Sequence, residues 1–147
     1  MNRILIIEDN EAKLNRIRTF LRESYSKIEI CDQQSYNSAL NEVLYHGKEY
    51  DLILLDVSMY TYDINKEDNG GEPEPMAGSS ILRYMLLRRI KTPVIVVTMY
   101  ENFVDGMKIQ QLDKRFAKSY PDFYKGYVYY SHKNDDWKIQ LKEKIKL

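Results

Sequence analysis

Uninterrupted apolar runs alternate along this chain with segments whose apolar residues recur every three or four positions. The runs "ILII" (4–7), "LILL" (52–55) and "VIVV" (94–97) show no polar alternation, which predicts strands buried on both faces. "KIEICD" and "GYVYYS" predict two more strands, and Pro93 stands where the fourth strand opens, a position that needs no ladder N–H. The intervening segments predict helices. "NEAKLNRIRTFLRE" brings Leu14, Ile17 and Leu21 onto one face, with Asn10 placed to cap it. "SYNSALNEVLYHGKEY" turns Ala39, Leu40, Val43 and Leu44 inward and stops at Gly47. "SSILRYMLLRRI" does the same with Ile81, Leu82, Met85 and Leu86, "DGMKIQQLDKRFAKSY" with Ile109, Leu112 and Phe116, and "NDDWKIQLKEKI" with Trp137, Leu141 and Ile145.

Five strands alternating with five helices require right-handed crossovers and a parallel sheet covered on both faces. Strands one, three and four are the most apolar and belong in the centre. The expected architecture is α/β, a flavodoxin-like doubly wound five-stranded parallel sheet of order 2-1-3-4-5, with its switch point between strands one and three. A length of 147 residues fits a single domain. Lys plus Arg and Asp plus Glu balance at 22 each, so charge selects neither nucleic acid nor an acidic membrane as partner. With one cysteine, no signal-peptide pattern and no 18-residue apolar span, a soluble cytoplasmic protein is expected. Cys31, at the end of a strand, is expected to be a small buried hydrophobe. Thirteen tyrosines are unusual, and the stretch "YPDFYKGYVYY" (120–130) is either a packed sheet edge or an interaction surface.

The run in "YDLILLDVSMY" stops on Asp56, which the strand order sets at the ligand-binding edge of the sheet. Glu8 and Asp9 follow strand one and meet Asp56 beside the same crevice. Three converging carboxylates repel one another unless a cation neutralises them. Oxygen donors without a His or Cys cluster point to Mg²⁺ or Mn²⁺, which leave positions open for a phosphate oxygen. An ionised carboxylate there can attack a phosphoryl group and form an acyl phosphate, and Asp56 is the candidate nucleophile. Thr98 ends the fourth strand at the same edge, its hydroxyl able to donate to a phosphoryl oxygen.

Taken together, "ILIIEDN", "DLILLDVSM", "MAGSSIL" and "PVIVVT" resemble the receiver domain of two-component response regulators across almost the whole chain. The resemblance implies that Asp56 accepts a phosphoryl group from a histidine kinase or phosphotransfer protein. It implies that Asp9 binds Mg²⁺ directly, that Glu8 acts largely through water and that Ser58 lends its backbone carbonyl to the metal. It also implies that Thr98 moves toward the phosphate and that Tyr127 is the family's rotating aromatic.

Two features depart from the family. Receivers carry a lysine at the end of strand five; the aligned residue is Tyr130, and the nearest lysine is Lys133 in "YYSHKND", assigned the site role if a bulge or bent strand end absorbs the slip. The loop "YTYDINKEDNGGEPEPMAG" is far longer than usual, and "MYENFVDGMKIQQLDKRFAKSYPDFYKG" enlarges the segment between strands four and five. Met99 follows Thr98 where many receivers have a small residue, which implies slowed autodephosphorylation. With no effector domain apparent, a stand-alone switch is expected to signal through protein contacts, an effector or a second copy, on the strand-four to strand-five face. It is not expected to contact nucleic acid directly. The alternative is a pseudo-receiver interaction module that takes no phosphate. A haloacid-dehalogenase-type phosphatase would need a second Asp two residues after the first, where this chain has Ser58.

Overall fold

The structure, a computed structural model, describes residues 2–57, 59–60, 73–74, 77–101 and 107–146. Its main sheet is built from β1 (Asn2–Ile7), β2 (Ile28–Gln33), β3 (Leu52–Leu55), β4 (Val94–Thr98) and β5 (Tyr124–Tyr129). The pairings are all parallel. The order β2-β1-β3-β4-β5 is the expected 2-1-3-4-5, and the three apolar runs are its three inner strands. Helices α1 (Glu11–Ser24), α2 (Tyr36–His46), α3 (Ala77–Leu87), α4 (Ile109–Ser119) and α5 (Asp136–Lys144) cover both faces. A separate antiparallel ladder pairs Met59–Tyr60 with Pro73–Glu74. No helix among the described residues is long and apolar enough to cross a membrane.

Because side chains alternate along a strand, each inner strand feeds two cores. Leu5, Ile7, Ile53, Leu55, Val94 and Val96 pack with Val43 of α2, Ile81 of α3 and Leu112 of α4. Ile4, Ile6, Leu52, Leu54, Ile95 and Val97 pack with Leu14 and Ile17 of α1 and Trp137 and Leu141 of α5. Asn10 caps α1 as expected, its side chain accepting from the Lys13 N–H.

Four details differ from the sequence expectation. Gly47 caps the end of α2 as expected, but in a right-handed conformation, and the chain continues from it into a 3₁₀ turn, Gly47–Glu49. Glycine is used there for close approach, since a Cβ would stand 3.2 Å from Ile90 Cγ2. Leu86 is 48 % exposed instead of inward. Cys31 is only partly buried, packed against the α2–α4 core. Strand β5 starts two residues earlier than "GYVYYS" and carries one extra residue between the partners of Val94 and Val96, a bulge containing Gly126 at φ +108°, where glycine has no Cβ penalty.

Most of the aromatic stretch 120–130 is packed. Phe123, Tyr124 and Tyr130 are buried, and Tyr124 meets Phe116 edge-on with ring centroids 5.4 Å apart. Tyr127 is partly buried against the α2–α4 core. Of these rings, Tyr129 is the one turned well toward solvent.

Candidate functional site

The carboxyl ends of β1, β3 and β4 converge. As β1 leaves the sheet, the Glu8 N–H still donates to the Gln33 carbonyl at 3.0 Å. The Glu8 carboxylate accepts from the Asn10 N–H at 3.0 Å, and the Asn10 side chain accepts from the Lys13 N–H at 2.9 Å. The acid pair and the start of α1 are therefore one hydrogen-bonded turn. At the end of β3 the Asp56 N–H donates to the Ile7 carbonyl at 3.0 Å, fixing that residue beside the acid pair. Carboxylate oxygens of Glu8, Asp9 and Asp56 lie within 4.8 Å of one another, with Glu8 and Asp56 buried and Asp9 partly exposed.

Helix α3 starts directly against Asp56. The Gly78 N–H donates to the Val57 carbonyl at 2.9 Å, and a Cβ on Gly78 would lie 2.6 Å from the Asp56 carbonyl oxygen and from Val57 Cα. The glycine of "MAGSSIL" is thus a close-approach residue that lets a helix N-terminus abut the acid. Thr98 ends β4 fully buried; its hydroxyl oxygen accepts from the Tyr100 N–H at 3.1 Å, and its carbonyl accepts from the Tyr130 N–H at 2.8 Å. Ser58 and the loop segment 61–72 lie outside the described residues.

A residue that the sequence reading did not single out occupies the centre of this cluster. Lys13, on the first turn of α1, is fully buried. Its ammonium donates to Asp56 Oδ2 at 3.2 Å and to the Val97 carbonyl at 2.7 Å, and it contacts the Glu8 carboxyl group. Lys13 shares the apolar stripe of Leu14, Ile17 and Leu21. A lysine within such a stripe is the signal that could have found it, because a buried ammonium needs partners. Lys133 stands exposed in the turn after β5, where its backbone N–H donates to Ser131 Oγ at 3.0 Å.

Two buried carboxylates here face one buried ammonium. Burial drives the Glu8 carboxyl from its ordinary 4.5 up to about 9, against the pull of Lys13 and with the help of the Asp56 charge. Burial opposes the Lys13 ammonium, but Asp56 and Glu8 outweigh it and hold that group above its ordinary value. A cluster that keeps one proton and one ammonium avoids a net buried charge, which low dielectric disfavours.

No family model matches the chain. It is 33 % identical over 147 residues to the Detocs response regulatory protein DtcB of Enterobacter cloacae, with 97 % of each chain covered. Among solved structures it resembles the Mn²⁺-bound form of response regulator Rcp1, at a TM-score of 0.65 and 20 % identity, covering 97 % of this chain and 91 % of that one. It also resembles a CheY-like receiver domain protein from Methanospirillum hungatei, at a TM-score of 0.62 and 19 % identity, covering 98 % and 93 %.

Proposed function

The chain belongs to the response-regulator family, folded as a receiver domain, and from that premise we propose that it is a phosphorylation switch whose acceptor is Asp56. The observation that carries this reading is the position of Asp56. It follows directly on the central strand β3, 2 % exposed, grouped with Glu8 and Asp9 and abutted by the start of α3.

A carboxylate oxygen of Asp56 attacks the phosphorus of a phosphohistidine in a kinase or phosphotransfer protein. The O–P bond forms as the P–N bond breaks, and the electron pair returns to the imidazole nitrogen. Buried, prearranged charge favours such a step because the groups need no reorganisation at the moment of reaction. The donor set suits a divalent cation, since Glu8, Asp9 and Asp56 offer hard oxygen ligands within reach of a single ion. Mg²⁺ is the proposed ion, with Mn²⁺ able to replace it and the Ser58 carbonyl as a further ligand. Such an ion supplies charge neutralisation for phosphoryl oxygens. Thr98 is assigned to donate its hydroxyl to a phosphoryl oxygen; its oxygen now accepts from the Tyr100 N–H, which leaves the O–H free to donate. Output runs through protein contacts on the β4–β5 side, where Tyr100 and Tyr129 present exposed rings.

The test is incubation of wild type and Asp56→Asn with phosphoramidate and Mg²⁺, followed by intact mass. One hydroxylamine-labile phosphoryl group is expected on wild type and none on Asp56→Asn. The ammonium already seated among the carboxylates favours a second reading, a pseudo-receiver that takes no phosphate, and an unmodified wild type in this experiment would establish it.

A further inference from the structure

We infer that Lys13 is the cation that pairs with the phosphoryl group on Asp56, delivered by α1 rather than by the end of β5. The inference rests on the acyl-phosphate reading of Asp56 given above.

Full burial of a lysine is costly unless its ammonium is paired and hydrogen-bonded. An apolar residue in the same stripe of α1 would pack with less desolvation. Lys13 instead spends its whole side chain reaching the edge of the sheet, where its ammonium meets the ends of three strands: Glu8 after β1, Asp56 after β3 and the Val97 carbonyl in β4. These contacts hold a positive charge against the carboxylate that becomes phosphorylated. An acyl phosphate carries more negative charge than the carboxylate it replaces, and its oxygens project from the Asp56 side chain that Lys13 already touches.

The end of β5 explains why the charge comes from α1. Tyr130 is fully buried there, and its hydroxyl accepts from Arg16 at 3.0 Å. The Lys13 ammonium lies 5.7 Å from the Tyr130 ring centroid. Arg16, one turn after Lys13, also donates to the Ser131 carbonyl at 3.3 Å and pairs with Asp135 at 2.9 Å. One helix therefore both supplies the cation to Asp56 and clamps the strand end beside it. The ring of Tyr130 lies beside the buried Lys13 ammonium, and Lys133 is turned to solvent.

The experiment uses the full chain as wild type, Lys13→Met and Lys133→Met, each treated with phosphoramidate and Mg²⁺. Adduct formation is timed by intact mass, with Mn²⁺ titration and thermal unfolding in parallel. Lys13→Met is expected to react about 100-fold more slowly, the scale of losing one prearranged charge-stabilising group. It should still bind Mn²⁺, and more tightly than wild type, because the ammonium no longer competes for Glu8 and Asp56. Lys133→Met is expected to match wild type. Equal rates for Lys13→Met and wild type would overturn the inference while leaving Asp56 as acceptor; no adduct on wild type would overturn the acceptor reading and this inference with it. If Lys13→Met does not fold, wild type labelled at lysine Cε and treated with beryllium fluoride decides the matter. A shifted Lys13 resonance with an unmoved Lys133 supports the inference, and an unmoved Lys13 contradicts it.

Discussion

The two faces of the sheet bury side chains in equal alternation, yet they are closed in different ways. On the α2–α4 face, Val43, Ile81, Leu112 and Phe116 meet the inner strands as an apolar layer. On the α1–α5 face the layer of Leu14, Ile17 and Trp137 is threaded by cationic side chains. Lys13 runs through it to Asp56, and Arg16 lies over both Tyr130 and Trp137, 5.5 and 5.6 Å from their ring centroids. The same fold thus separates a face closed as an apolar layer from one that also carries charge to the carboxylate edge of the sheet. Substitutions on the two faces should then split into those that change folding alone and those that change the site.

The largest effect on folding is expected from Phe116→Ala on the apolar face. It removes a 3 % exposed ring and should cost about 3–5 kcal/mol in denaturant unfolding, with the phosphorylation rate of the remaining folded protein unchanged. A changed rate would show that the apolar layer also sets the site. Next comes Gly78→Ala, whose Cβ would collide with the Asp56–Val57 backbone. Unfolding should show a loss of about 1–3 kcal/mol, this time together with a slower reaction at Asp56, because the start of α3 must retreat from the acid.

A smaller effect is expected from pH. Glu8 must release its proton to offer a full carboxylate to a cation, so Mg²⁺ or Mn²⁺ binding should tighten as pH rises from neutral toward about 9. The limit is about tenfold per pH unit, or ~1.4 kcal/mol, and calorimetric titration in two buffers of different ionisation enthalpy would count the proton released. The folded-state value of Glu8 lies above its unfolded one. Its contribution to stability is therefore present below about 4.5 and lost as pH rises through about 9, so without divalent ions the melting temperature should fall across that window. A flat binding profile would mean that Glu8 keeps its proton in the bound state. The smallest effect is expected from Arg16→Ala. Its ion pair with Asp135 is half open to solvent, so unfolding should report about 1 kcal/mol. Cation affinity should stay unchanged if Lys13 alone carries charge to the edge.

Much of this arrangement was legible in the residue pattern. The apolar runs of β1, β3 and β4 announced inner strands because burial on both faces leaves no place for polar alternation. That order by itself brought Glu8, Asp9, Asp56 and Thr98 to one edge. Other features depended on tertiary contacts that periodicity does not encode. Leu86 lies beside the buried stripe of Ile81, Leu82 and Met85, and only the direction from which the sheet approaches α3 decides that it faces water. The extra residue in β5 falls at a bulge containing Gly126 at positive φ, a backbone detail that apolar periodicity does not encode. Lys13 was the most consequential omission. Its charge favours a solvated side chain and its position in the stripe of α1 favours burial, and the structure reconciles the two through carboxyl groups from other strands.

Borohydride reduction of the phosphoramidate-treated protein, followed by peptide sequencing, addresses the acceptor most directly, because hydride converts an aspartyl acyl phosphate to homoserine at the residue that carried it. Homoserine at position 56, absent without phosphoramidate, is the expected result. Reduction at Glu8 or Asp9 instead, or no reduced residue from a protein shown to be folded and loaded with Mg²⁺, would contradict the assignment of Asp56 as the phosphoryl acceptor.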